Sequence, residues 1–233
     1  MRRKLLGVVG LMAVLGLAGA GVALYYFSYS PDRTIYRLRG IDVSHHQGMI
    51  DWGKVAKSDV AFAILKATEG GDYVDDTFAR NLAGAKAAGL VVGAYHFFTF
   101  CRPGAEQAEN FLRAVPRERP MLPPVVDIEF GGNCAARPAV ADLQRELTAF
   151  LTPVEAAFGR PAIVYVIDAA AAQYQAAIPN RPRWVRSLAS PPANGDWVLW
   201  QYHNAGHVDG IGSAVDLNVL RGGADELKAL ADG

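Results

Sequence analysis

An α/β barrel is the fold class that this sequence predicts, and three observations carry it. Strand-like and helix-like segments alternate from residue 40 to about residue 178, the pattern that parallel strands with crossover helices require. After Ile178 the rhythm changes to short strands joined by loops, with no room for full helices. The polar residues gather where strands end, which is where such a barrel places its chemistry. Eight strands in about 195 residues make a compact, irregular barrel, smaller than the usual eightfold β/α barrel.

The elements follow in order. Gly40 to Val43 reads as the first strand and Asp51 to Lys57 as a short helix. Val60 to Lys66 is the second strand. Asp76 to Ala88 is a helix with Phe78, Leu82, Ala85 and Ala88 at helical spacing, stopped by Gly89. Leu90 to Phe98 is the third strand, with a helix over Ala105 to Val115 behind it. Pro124 to Ile128 is the fourth strand, followed by a long helix from about Pro138 to Phe158. Ala162 to Ile167 is the fifth strand and leads into an alanine-rich helical stretch from Asp168. Trp184 to Leu188, Trp197 to Tyr202 and Val215 to Leu220 are the last three strands, and a helix over Ala224 to Leu230 closes the chain.

Ahead of the barrel, Arg2, Arg3 and Lys4 precede an uncharged apolar run of 23 residues from Leu5 to Phe27. That length spans a bilayer as a helix, and Tyr25, Tyr26 and Phe27 match an interfacial aromatic belt. A signal peptide cleaved near Ala18-Gly19-Ala20 is the rival. Either reading puts the remainder outside the cytoplasm, anchored at the cell membrane or secreted. The expected organisation is an anchor or signal over 1–27, a linker over 28–38 and one domain over 39–233.

The 233 residues are 51% hydrophobic and 20% charged with zero formal net charge, so nothing points to nucleic acid. Without the three leading cations, 20 basic residues face 23 acidic ones, and an anionic polymer would have to be recognised locally. A monomer is expected, with no cofactor. His203 and His207 have zinc-ligand spacing, but glycines at 206 and 210 speak against the helix that would use it, and no metal is expected. No Gly-x-Ser-x-Gly elbow is present. Glu69 either binds substrate or pairs with Lys66.

The chemistry concentrates in Val125-Val126-Asp127-Ile128-Glu129. Strand side chains alternate, so Asp127 and Glu129 face one side and Ile128 the other. Two acids on one face repel unless one keeps its proton near neutral pH while the other is ionised, which is acid/base chemistry. Solvated acids at a strand end are the bland alternative. Asp42 and Asp216 pose the same question on the first and last strands, which are neighbours if the barrel closes. Tyr95, His96, Tyr165 and Tyr202 fall at strand ends with these acids, and aromatics beside carboxylates suit a carbohydrate cleft.

Gly40-Ile41-Asp42-Val43-Ser44-His45-His46-Gln47-Gly48, Phe62 to Gly70, Ala88 to Phe98, Asp127-Ile128-Glu129, Trp200-Gln201-Tyr202 and Val215-Asp216-Leu217-Asn218 resemble, in that order, the glycoside hydrolase family 25 lysozymes of the Chalaropsis type. The resemblance covers about residues 39 to 222. It implies a barrel of about five β/α units followed by three strands. It also implies hydrolysis of the β-1,4 bond between N-acetylmuramic acid and N-acetylglucosamine in a peptidoglycan strand. On matching positions Glu129 is the general acid and Asp127 its charged helper, orienting the substrate's acetamido group. Asp42 and Asp216 flank them, and Tyr95, Tyr165 and Tyr202 line the sugar cleft; beside that resemblance, His96 is read as a rim hydrogen-bonding group that binds substrate. Cys101 and Cys134 would then lie in neighbouring loops at the active rim, a candidate disulfide. A non-catalytic glycan-binding module on the same barrel, or an envelope scaffold protein, is the alternative to an enzyme.

Overall fold

The computed structural model describes residues 2–132, 134–193 and 195–233; for residues 2–11, 13 and 168 only the backbone is described. Its elements are α1 (Arg2–Ser28), β1 (Arg39–Val43), α2 (Trp52–Val55), β2 (Phe62–Glu69), β3 (Tyr73–Val74), α3 (Phe78–Ala87), β4 (Val91–Phe97), α4 (Gly104–Ala114), β5 (Val125–Ile128), α5 (Val140–Phe158), β6 (Ile163–Val166), α6 (Asp168–Tyr174), β7 (Arg183–Arg186), β8 (Leu199–Gly206), β9 (Val215–Leu220) and α7 (Ala224–Asp232). Every strand and helix expected from the sequence is present. β3, a two-residue hairpin on the end of β2, is the one strand without a sequence signal.

Eight strands close into a barrel in the order β1-β9-β8-β7-β6-β5-β4-β2, with β1 pairing back onto β2. From β1 through β2 and on to β8 the barrel neighbours are parallel. β9 runs antiparallel to both β8 and β1, so the sheet is mixed. The antiparallel β9 follows from the short loop after β8, which leaves no length for a crossover helix.

Alternation sorts each strand into two faces. Phe62, Ile64, Val125, Ile163, Tyr165, Trp184, Leu199 and Leu220 fill the interior. Ile41, Val43, Ala63, Leu65, Val92, Val126, Ile128 and Val164 face outward and pack under the helices. At Gly40 the interior leaves no room for a side chain, since a Cβ there would clash with the Phe62 ring.

His96 lies on the outward face. It is fully buried, hydrogen-bonded to Thr68 Oγ1 (2.7 Å) and Gln107 Oε1 (3.1 Å), and stacked on Phe150. The expectation that it binds sugar is therefore corrected: Tyr95 points into the barrel, so its neighbour points out. Burial lowers the His96 pKa to about 3. A base with a depressed folded-state pKa stabilises the fold above its unfolded value near 6.5, and that contribution is lost as pH falls towards 3. The full linkage is roughly 5 kcal/mol. Melting temperatures from pH 7 to 4 are expected to fall more steeply for the native chain than for His96→Gln; parallel curves would contradict this.

Among the described residues no helix covers the outer face of β8 and β9. Their outer face carries Trp200, Tyr202 and Val219, with Trp197 alongside, and the chain ahead of β1 packs over it. Tyr29 stacks near Trp200 and Tyr202, and Tyr36 against Trp197 and Trp200. The segment 28–38, expected as a linker, thus lies along the barrel wall. Tyr202 is buried there beside the Arg39 guanidinium, 5.4 Å from its ring, and does not reach the barrel interior. That corrects its expected place in the cleft. Among the described residues no helix is long and apolar enough to cross a membrane. Most of the first half of the apolar run lies outside the described side chains.

Candidate active site

The mouth of the barrel, at the C-terminal strand ends, holds four carboxyl groups. Asp42 and Asp216 are directly opposite one another across the β1–β9 ladder. Asp127, on β5, neighbours Tyr165 on β6, and Glu129 follows just past the strand end. The period-two reading holds here, for Ile128 packs outward in the helix-facing core while Asp127 lies among the interior acids.

A chain of donors fixes Asp42. Trp184 Nε1 donates to Asn218 Oδ1 (2.9 Å), and Asn218 Nδ2 donates to Asp42 Oδ2 (2.6 Å). Tyr165 donates to Gln201 Oε1 (2.8 Å), whose Nε2 reaches the same Asp42 oxygen at 3.3 Å. Both amides thus meet Oδ2, which leaves Oδ1 for a proton. Tyr165 is buried against Trp184, so it floors the cleft with its hydroxyl committed to Gln201. Tyr95 is half-buried and lies among the acids. Phe97, two residues on and on the same face, is half-buried with Lys66 Nζ 4.9 Å from its ring. Lys66 pairs with Glu69 at 2.6 Å, the salt bridge expected as one of the two readings of Glu69. Cys101 and Cys134 form a disulfide that ties the loop after β4 to the loop after β5. In the chain-entropy account a loop of this length adds roughly 3–4 kcal/mol.

A family model, that of the glycosyl hydrolases family 25, matches residues 41–211. The chain belongs to glycosyl hydrolase family 25. It is 33% identical over 213 residues to lysozyme M1 of Streptomyces globisporus, covering 84% of this chain and 71% of that protein. It is also 33% identical over 229 residues to the uncharacterized protein YegX of Escherichia coli K12, covering 90% and 82%. Among solved structures it resembles a family 25 glycosyl hydrolase from Bacillus anthracis, with TM-score 0.81, 36% identity and coverage of 87% and 97%. A bacterial lysozyme from Streptomyces coelicolor matches with TM-score 0.73, 31% identity and coverage of 84% and 97%.

In this family 25 barrel the acids are held away from water, and burial is the main cause of every shift. Asp42 is pushed well above the usual carboxylate range by burial and then by Asp216, despite its amide donors. It donates to Asp216, which is itself raised by burial although that hydrogen bond opposes the rise. Asp127 is raised well above its usual range by burial, then by Glu129 and Asp42, and its Oδ1 is buried without a hydrogen-bond partner. Burial and the acids around it thus oppose ionisation of Asp127. Glu129 is raised by burial, while Arg186 is the largest influence lowering it. Burial and the surrounding acids also raise the phenols of Tyr95 and Tyr165, so both hydroxyls stay protonated donors.

Arg186 is a site residue without a sequence motif. Phe97 lies within the Ala88 to Phe98 motif, and parity with Tyr95, two residues before it, places it on the site face. Arg186 has the parity of Trp184 on a four-residue strand, a weak signal alone. Arg186→Gln is expected to raise the Glu129 pKa further. The alkaline limb of the pH–rate profile then moves to higher pH, and an unmoved limb would contradict that coupling.

Proposed function

We propose that the chain is a muramidase that hydrolyses the β-1,4 bond between N-acetylmuramic acid and N-acetylglucosamine in peptidoglycan. The observation that carries this reading is the pair of unequal carboxyls at the mouth. Glu129 is raised by burial and partly open to the cleft, while Asp127 is buried with one oxygen unpartnered. Glu129 donates its proton to the leaving glycosidic oxygen. The unpartnered Oδ1 of Asp127 accepts the N–H of the substrate's 2-acetamido group and turns its carbonyl oxygen towards the anomeric carbon. That acceptor role does not depend on whether the other oxygen holds a proton. Substrate assistance of this kind is a known exception to the two-carboxylate schemes. Asp42 and Asp216 shape the cleft and keep negative charge beside Glu129. Residues 1–27 hold the domain at the outer face of the membrane.

Full-length protein in mild detergent tests the enzyme against a glycan-binding module. Native chain is expected to clear a peptidoglycan suspension, whereas Glu129→Gln sediments with the polymer and leaves it intact. Native chain that is folded, binds and does not cut would favour the module.

A further inference from the structure

The last turn of α1 meets the barrel at its cleft end. Tyr25 donates to the Ala189 carbonyl (3.0 Å), in the loop after β7, and the rings of Tyr26 and Phe27 lie 5.1 and 6.3 Å from His203. His203 pairs with Leu217, the neighbour of Asp216 on β9, so it lies level with the acid cluster near the mouth. From there the chain descends the outer wall. Tyr29 packs at Trp200 and Tyr202, Tyr36 at Trp197 just before β8 begins, and Arg39 opens β1 at the base. Ahead of its last turn α1 leaves Val14, Leu15, Leu17, Val22 and Leu24 exposed, an apolar surface of the kind that lipid covers. Met49, Tyr73 and Val74, in the β1–α2 loop and the β3 hairpin at the cleft end, are also exposed.

We infer that the chain presents its cleft end to the bilayer that α1 enters, so that its substrate is the glycan lying against the membrane. The inference rests on the anchor reading of α1 and on the muramidase reading of the cleft. A strap packed along the wall gives no slack for the barrel to turn over. Segment 28–38 is taken up in the descent from mouth to base, so the mouth stays beside the point where α1 leaves the lipid. Glycan layers beyond the barrel's own reach lie outside the tether.

Full-length chain reconstituted in phosphatidylcholine vesicles tests this with single fluorophores at Met49→Cys (mouth) and Lys57→Cys (base, between α2 and β2), the native cysteines being disulfide-bonded. Flotation reads the anchor. Quenching by a headgroup-attached quencher reads orientation, and cutting of soluble glycan fragments by the same vesicles reads the enzyme. Flotation with severalfold stronger quenching at residue 49 than at 57 is expected. Flotation with equal or stronger quenching at 57 overturns the orientation and leaves the anchor standing. Absence of flotation overturns both, and absence of cutting with the expected quenching overturns the substrate alone.

Discussion

Glu129→Gln is expected to lower kcat by about 10³-fold, in the middle of what a positioned general acid contributes. KM is expected to change little, because the amide keeps the shape of the side chain and its contacts to a bound glycan. Stability moves the other way. A carboxyl whose folded-state pKa is raised stabilises the fold most below its unfolded value, and that contribution is lost as pH rises through the folded value. Near neutral pH Glu129 therefore costs stability, and the Gln variant should melt no lower than the native chain. Loss of activity with an unchanged or raised melting temperature separates chemistry from misfolding. Retention of more than a tenth of native turnover would remove Glu129 from the role of acid.

Asp127 carries the second large effect, and two replacements distinguish its parts. Asp127→Ala removes the acceptor for the acetamido N–H and is expected to reduce kcat by about 10³-fold, comparable to losing a preorganised polar group aimed at developing charge. Asp127→Asn keeps a carbonyl oxygen in nearly the same place and is expected to lose less, about 10²-fold. Both replacements remove a buried carboxyl raised well above its usual range, so both should gain stability relative to the native chain as pH rises from 5 to 8. Equal losses for Ala and Asn would mean that the carboxyl itself acts, not its acceptor oxygen. Native turnover in Asp127→Ala would sink the assisted route.

The barrel was legible because its strands and helices differ so sharply in period and length. The acid pair was legible for the same reason, since Asp127 and Glu129 flank an outward Ile128 on an apolar strand. Asp42 and Asp216 needed one further step, the closure of first strand on last, and the ladder sets them face to face. The misplaced residues are errors of parity. His96 follows an inward Tyr95 and Tyr202 follows an inward Gln201, so alternation already sends both outward. Position at a strand end does not by itself fix which face a side chain takes. The wall strap was invisible for another reason: Tyr29 and Tyr36 have no periodic partner, and their purpose appears only once β8 and β9 are found without helices. Arg186 belongs to no motif, and only the cluster of four acids shows why a cation stands there.

The proposed reaction cuts glycan after N-acetylmuramic acid, with Glu129 as proton donor. The most direct measurement is end-group analysis. Purified peptidoglycan is digested with full-length protein, the products are reduced with borohydride, and the reduced sugar at each new end is identified by mass spectrometry. Reduced N-acetylmuramic acid is expected at the new ends, with none above background for Glu129→Gln. Reduced N-acetylglucosamine at the new ends, or no new ends from well-folded native protein, would contradict it.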